Sequence, residues 1–312
     1  MPQQLLLSQS LLDAAALDLR LSSGRVRAYR VGRAGAPAVV CLHGLDSNAR
    51  SFDVLAGTLA RRGHQVIVPD LRGRGASPAT GVGTYGWVRH AEDVLELATA
   101  LDVERFDLVG HSMGALVSMQ AAVLAPERVG RLIAIDTAGP AEPLALPFIG
   151  TATLRLPFVY PSTGAYCDAM RASGVSEPWE DLWKRAFAYE LEGFFGFVRP
   201  RTSFRAVGED FLYSLTHTGA SLWPRLRLPT MLLRATRRLP PYGLVVGARL
   251  RDAFLRTVES AELAEIDANH YEILAHPEAL GAIDEFLARP TQVVPTASRR
   301  PVREERADRK TA

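Results

Sequence analysis

The pentapeptide Gly110-His111-Ser112-Met113-Gly114 stands between an apolar run, FDLV, and a helix-forming run, ALVSMQAAVLA. A serine on a tight strand-to-helix turn holds its hydroxyl above the sheet edge, and glycines two before and two after it leave out the Cβ atoms that would clash there. The helix start that follows aims backbone N–H groups at any anion developing beside the serine. The chemistry this serves is nucleophilic attack. A serine hydroxyl is a weak nucleophile until a base takes its proton, so a histidine must approach in space though not in sequence. The candidates are His43, His64, His90, His111, His217, His270 and His276. Other chemistries find less support. There is no H-x-x-x-H and no C-x-x-C, so no zinc site is expected. Cys41 reads as a small hydrophobe in a buried strand, and nothing marks Cys167 as reactive. Gly73 and Gly75 begin what could be a phosphate-binding glycine loop, but Pro78 takes the place of its last glycine.

The elements that must position these groups are legible as periodicity. Leu17, Leu19 and Leu21 alternate before a Ser-Ser-Gly turn, and Val26, Ala28 and Val31 follow it, which predicts an N-terminal hairpin. Short apolar runs then recur at 38–42, 65–69, 106–110, 131–136, 229–235 and 261–267, and runs without polar alternation read as strands buried on both faces. Between them, helices are expected from a Ser47 cap to about Arg61, from Thr84 to about Leu101, from the Ser112 turn to just before Pro126, and from Pro277 to Leu287. That alternation specifies an α/β fold with a mostly parallel, doubly wound sheet. It is broken once. Residues 139–228 separate two strands that a crossover of a dozen or so residues could join, and they hold 15 of the 24 aromatic residues with helix-like stretches near 176–192 and 203–216.

Together these features resemble the α/β-hydrolase family, over about residues 16–290, and His43-Gly44 and Asp70-Leu71-Arg72-Gly73-Arg74-Gly75-Ala76-Ser77 are similar to two further family motifs in the right order. The resemblance implies an oxyanion hole formed by the N–H groups of Leu45 and Met113, a base at His270, and substrate lying against His43, Gly44, His111 and Tyr271. The acid that orients the base is where the pattern departs. The loop Thr236 to Tyr242, where most of the family carries it, has no carboxylate. Asp136 ends a strand 24 residues after Ser112, where its carboxylate can reach His270 at the sheet's C-terminal edge. Asp252 is the alternative, Asp210 is more remote, and Asp267 is expected to face the wrong way. The resemblance also implies that 139–228 is a helical cap over an apolar cavity, with the core in 1–138 and 229–290; Arg155, Arg171, Arg185, Arg199, Arg201 and Arg205 lie in it without assigned partners.

Charge and composition bound the rest. With 312 residues, 47% of them apolar, the chain can bury a full core. The formal net charge of +2 owes to residues 291–312; without them thirty basic and thirty-one acidic residues remain, so the body gives no reason to expect nucleic acid or an acidic membrane as partner. That stretch reads as a disordered basic tail. No basic segment precedes the first apolar stretch, which predicts a cytoplasmic protein. The expected function is cofactor-free hydrolysis of a carboxylic ester or related acyl compound, the substrate being a small, apolar molecule. Thioesterase, lactonase, carbon–carbon bond hydrolase and perhydrolase chemistry share the same residues. A small-molecule binding protein that has lost turnover is the non-enzymatic alternative.

Overall fold

A computed structural model describes Leu11 and residues 14–140, 142–143, 146–174, 180–239 and 243–290. The chain enters as the hairpin β1 (Ala15–Leu21) and β2 (Gly24–Val31), with Leu17 and Leu19 half-buried and their neighbours exposed, as a one-faced strand requires. Three buried strands follow: β3 (Ala38–Leu42), β4 (Gln65–Pro69) and β5 (Phe106–His111), then β6 (Val129–Ile135). A small separate hairpin, β7 (Leu191–Phe194) and β8 (Phe197–Pro200), precedes β9 (Thr230–Ala235) and β10 (Ala261–Ile266). The main sheet runs β1-β2-β4-β3-β5-β6-β9-β10, parallel from β4 onward and antiparallel at β1-β2 and β2-β4. This is the α/β-hydrolase fold, a mostly parallel sheet with an N-terminal antiparallel hairpin.

Alternation along each central strand feeds two cores. Val40 and Leu42 face Trp87, Val94, Leu97 and Val117, while Val39 and Cys41 face Phe52, Leu55, Ile283 and Phe286. Helices α1 (Asp53–Arg61), α2 (Trp87–Ala100) and α3 (Met113–Leu124) lie between these strands. The helix expected from Ser47 begins as a 3₁₀ turn at Ala49–Phe52, because Asn48 supplies the cap by accepting from the Arg50 amide at 3.0 Å. The α2 start moves from Thr84 to Trp87 because Gly86, at φ 101°, turns the chain out of helical geometry. The strand at 261–267 was expected to be buried on both faces; β10 is an edge strand, and Leu263 is 36% exposed.

Between β6 and β9 lie α4 (Leu146–Thr153), α5 (Thr163–Ala172), α6 (Asp181–Tyr189), β7, β8, α7 (Phe204–Thr216) and a 3₁₀ stretch, Gly219–Arg225. The helix expected near 176–192 is α6, which ends at Tyr189 because β7 begins two residues later; 175–179 lie outside the described residues. Polar contacts seat this segment on the sheet domain: Asn48 Nδ2–H donates to the Ala186 carbonyl at 3.0 Å, and Trp223 Nε1–H to that of Ala138 at 2.7 Å. Helix α8 (Ala248–Thr257) precedes β10, and α9 (Pro277–Ala288), with Pro277 in its first turn, closes the described chain. The tail read at 291–312 lies outside the described residues. Among the described residues no helix is long and apolar enough to cross a membrane.

Candidate active site

Strand order reverses direction between β3 and β5, since β3 leads outward to β4 while the chain then returns across β3 to β5. In open α/β sheets the crevice beyond the carboxyl ends of the strands at such a reversal is where ligands bind. Leu42 pairs with Gly110 and His111 with Ile135, so the residues just past β3, β5 and β6 emerge side by side. Ser112 is the first residue past β5. Its backbone sits at φ 55°, ψ −126°, a conformation that costs an L-residue on the order of 1–3 kcal/mol and persists only where the surroundings enforce it. They do so by close packing. A Cβ at Gly110 would lie 2.2 Å from the Gly114 carbonyl oxygen, and one at Gly114 would lie 2.0 Å from that of Leu42. The Ser112 amide donates to the Ile135 carbonyl at 3.1 Å, locking the turn onto β6. Met113 opens α3, so its N–H has no intrahelical carbonyl to reach.

Asp136 follows β6 directly and is 1% exposed. Its Oδ2 accepts from His270 Nδ1–H at 2.8 Å, and its Oδ1 from the Ala235 amide at 3.0 Å. Its own amide donates to the Leu233 carbonyl at 2.7 Å. Both oxygens are therefore aimed by the end of β9, the strand whose following loop lacks the acid. With the proton on Nδ1, the Nε2 of His270 is an acceptor. His111 supports the same imidazole from below: its ring lies 4.4 Å from that of His270, and its Nε2–H donates to the His270 carbonyl at 2.9 Å. Burial, with the neighbouring His270, holds the His111 pKa well below its usual value, so the ring stays neutral.

The turn after β3 brings the second set of groups. The Leu71 amide donates to His43 Nε2 at 3.0 Å, leaving the proton of the neutral ring on Nδ1, which donates to the Gly44 carbonyl at 2.8 Å. A peptide is planar and trans, so tying the Gly44 oxygen on one side turns the Leu45 N–H to the other. Burial pushes the His43 pKa down to about 3, keeping the Nε2 lone pair available for Leu71. His43 is fully buried and stands behind the cavity wall, where its role is to hold the turn. Gly44 packs under Ser112: a Cβ there would lie 3.2 Å from Ser112 Cβ and 3.6 Å from its Oγ.

These groups share one cavity of about 210 Å³. Gly44, Leu45, His111, Ser112, Met113, His270 and Tyr271 line it, together with Trp87, Leu116, Val245 and, from the segment between β6 and β9, Ala152, Phe211, Ser214, Leu215 and His217. Asp252 is elsewhere, on α8, half-buried and paired with Arg251 at 2.8 Å. Asp267 is 84% exposed on its side chain. Asp210 lines the cavity, but its carboxylate is taken by Arg74 at 2.6 Å, His90 Nε2 at 2.9 Å and the Gly86 amide at 2.6 Å. Burial acts to raise its pKa, yet His90 and Arg74 outweigh that and hold it well below the carboxylate range. Reading the sequence missed the two buried arginines that grip the turn after β3. Arg74 Nε donates to the Leu45 carbonyl at 2.9 Å, and Arg155 Nη2 to that of Asp46 at 2.8 Å. No periodicity announces such pairs, since their partners lie far away in the chain.

A family model described as the alpha/beta hydrolase fold matches residues 37–160, which carry β3, β5, β6 and the Ser112 turn. Together with the sheet topology, this match gives the chain the α/β-hydrolase fold. An uncharacterized protein of Mycobacterium tuberculosis is 35% identical over 155 residues, 47% of this chain and 45% of that protein. A 3-hydroxybutyrate-oligomer hydrolase of Cupriavidus necator is 33% identical over 151 residues, 46% of this chain and 51% of that one. The chain thus matches about half the length of these curated relatives. Among solved structures, that of E-2-(acetamidomethylene)succinate hydrolase superposes with a TM-score of 0.79 at 22% identity, covering 88% of this chain and 99% of that one, a likeness of fold.

Proposed function

We propose that the protein is a serine hydrolase that cleaves a carboxylic ester or a related acyl compound through an acyl-enzyme intermediate. The observation that carries this reading is the 2.8 Å contact between His270 Nδ1 and Asp136 Oδ2, made in the wall of the cavity that Ser112 also lines. Ser112 Oγ attacks the acyl carbon while His270 Nε2 takes the hydroxyl proton, and the carbonyl π electrons pass to oxygen. Donors set in place beforehand stabilise that charge most effectively, and here they are the N–H groups of Leu45 and Met113. Collapse of the intermediate breaks the bond to the leaving group, which departs with the proton from His270. Water then repeats the sequence on the acyl-enzyme, releasing the acid and restoring Ser112. Asp136 stabilises the imidazolium formed twice per cycle and stays ionised.

The walls bear on the substrate. A volume of about 210 Å³ is below the roughly 300–1,000 Å³ usual for small-molecule pockets, which favours a compact acyl group. Trp87, Leu116, Phe211 and Leu215 offer it apolar surface. The acidic lining residues, Asp46 and Asp210, are ion-paired to arginines behind the wall, and no Lys or Arg is among the described lining residues. A substrate with a second carboxylate would find no cation, so the reading is of an uncharged acyl compound.

A fluorophosphonate probe tests the assignment. It should label the wild-type protein once, at Ser112, and leave Ser112→Ala unlabelled. An unlabelled wild type, or labelling that survives in Ser112→Ala, would point to a protein that binds without turnover or reacts elsewhere.

A further inference from the structure

The turn that carries the Leu45 donor is held at three successive peptide planes, and two of the three anchors are completed by the segment between β6 and β9. His43 grips the Gly44 carbonyl from within the sheet domain. Arg74 grips the Leu45 carbonyl, and Arg74 is itself ion-paired with Asp210 on α7. Arg155, in the connection between α4 and α5, grips Asp46 twice: Nη2 donates to its carbonyl at 2.8 Å and Nη1 to its Oδ2 at 2.5 Å. The remaining N–H groups of Arg155 are also engaged. Nη1 reaches the Ala152 carbonyl at 2.5 Å, Nη2 reaches Glu190 Oε2 at 3.3 Å, and Nε donates to the Tyr166 hydroxyl at 2.9 Å, which in turn donates to Glu190. All five donors of a rigid planar fork thus meet an oxygen, in a side chain only 10% exposed. Arg155 does not line the cavity, so its charge is spent on the turn and not on a substrate.

We propose that Arg155 is a positioning residue for the oxyanion turn, coupling the seating of the inserted segment to the placement of the Leu45 N–H. The proposal rests on the hydrolase reading given above for its catalytic consequence. Its physical content is that a donor helps only if it is in place before charge develops, and a misplacement of about 1 Å can cost roughly 10²-fold in rate. Glu190 and Tyr166 hold the guanidinium from the side of the inserted segment, and Asp46 takes it from the other. Lysine cannot replace it, because an ammonium offers three donors from one point and cannot span two carboxylates and a carbonyl.

The test compares Arg155→Lys, Glu190→Gln and Arg155→Ala with wild type on an activated ester, with rates counted per fluorophosphonate-titrated site. Arg155→Lys is expected to lower kcat by about ten- to a hundredfold with KM within about threefold, and Glu190→Gln to act in the same direction less strongly. Added ethylguanidinium should restore at least about a tenth of the lost rate to Arg155→Ala, as it supplies the missing fork. A second readout needs no turnover: exchange of the Ser47 amide, which donates to the Gly44 carbonyl at 3.3 Å, should quicken in Arg155→Lys while that of Val109 in β5 stays unchanged. Normal kcat per titrated site in Arg155→Lys, with unchanged exchange at Ser47, would overturn the proposal. If the wild type neither labels nor turns over, the hydrolase reading fails, and the exchange measurement still decides whether Arg155 holds the turn.

Discussion

The two walls of the cavity are built by different means. The sheet-edge wall hangs Ser112, Asp136 and the turn at Gly44 from the ends of adjacent strands: the Ser112 amide bonds to the Ile135 carbonyl and the Asp136 amide to that of Leu233, the Asp136 carboxylate accepts from the Ala235 amide, and the turn is held by the side chains of His43, Arg74 and Arg155. The opposite wall comes from the inserted segment, where Phe211, Ser214 and Leu215 project from α7 and the attachment to the sheet domain runs through side chains such as Arg155, Asp210 and Trp223. A wall set by strand register can hold reacting atoms within the tolerance that chemistry demands. In the wall seated by side chains, the lining residues Phe211, Ser214 and Leu215 can change without moving those atoms so long as the Arg155 clamp is kept. The comparison therefore assigns turnover to the groups of the first wall and substrate choice to the side chains that line the second; Arg155 and Glu190, which line neither, serve the first wall from within the inserted segment, so it is substitutions of lining residues that should separate kcat from KM.

The largest effect belongs to the sheet-edge wall. Asp136→Asn should lower kcat by about 10⁴-fold in ester hydrolysis assays, while Asp252→Asn, on α8 and outside the cavity lining, stays within about twofold of wild type. Next comes Gly44→Ala, whose methyl would press on Ser112 Cβ from 3.2 Å; steady-state kinetics should show a ten- to hundredfold loss in kcat, of the order expected for about an ångström of displacement. On the other wall, Phe211→Ala should raise KM by roughly three- to tenfold and leave kcat within about twofold, the pattern of lost uniform binding. If Phe211→Ala struck kcat and spared KM, the division between the walls would collapse.

The smallest effect is on stability against pH. His43 has its folded pKa depressed from 6.5 to about 3, so the folded state binds fewer protons than the unfolded one between those values. Its contribution is full above about pH 6.5 and is lost as pH falls toward 3. His111 acts in the same direction, whereas Asp70, Asp107 and Glu190, raised by burial, act in the opposite one, so the informative quantity is a difference. Thermal melts should show the gap in Tm between wild type and His43→Gln narrowing from pH 7 to pH 4.

What could be read from the sequence divides along the same line. Ser112, its glycines and the strands around it announce themselves locally, because a strand ending in a tight turn before a helix leaves a pattern within a dozen residues. Asp136 was reachable by argument from strand adjacency, since its partner His270 comes after the last strand and their meeting follows from the sheet order. The inserted segment was opaque. Its apolar and aromatic residues predicted helices near 176–192 and 203–216 but not α4 or α5. The β7-β8 hairpin turns on Phe195, at φ 48°, and Gly196, at φ 84°; the glycine is half of a turn signal, but Phe195 stands where an asparagine or aspartate would have completed it. The clamps by Arg74 and Arg155 on residues 45 and 46 were illegible for a further reason. A buried ion pair depends on both partners being desolvated at one point, and spacing along the chain carries no trace of that.

The central claim is that Ser112 becomes acylated. Rapid mixing with a p-nitrophenyl ester, acid quenching and peptide mapping by mass spectrometry would test it most directly. The account predicts an acyl mass increment on the peptide containing Ser112, present in wild type and lost in Ser112→Ala. Steady ester turnover with the increment on another residue, or with none at any quench time in wild type and His270→Ala alike, would contradict it.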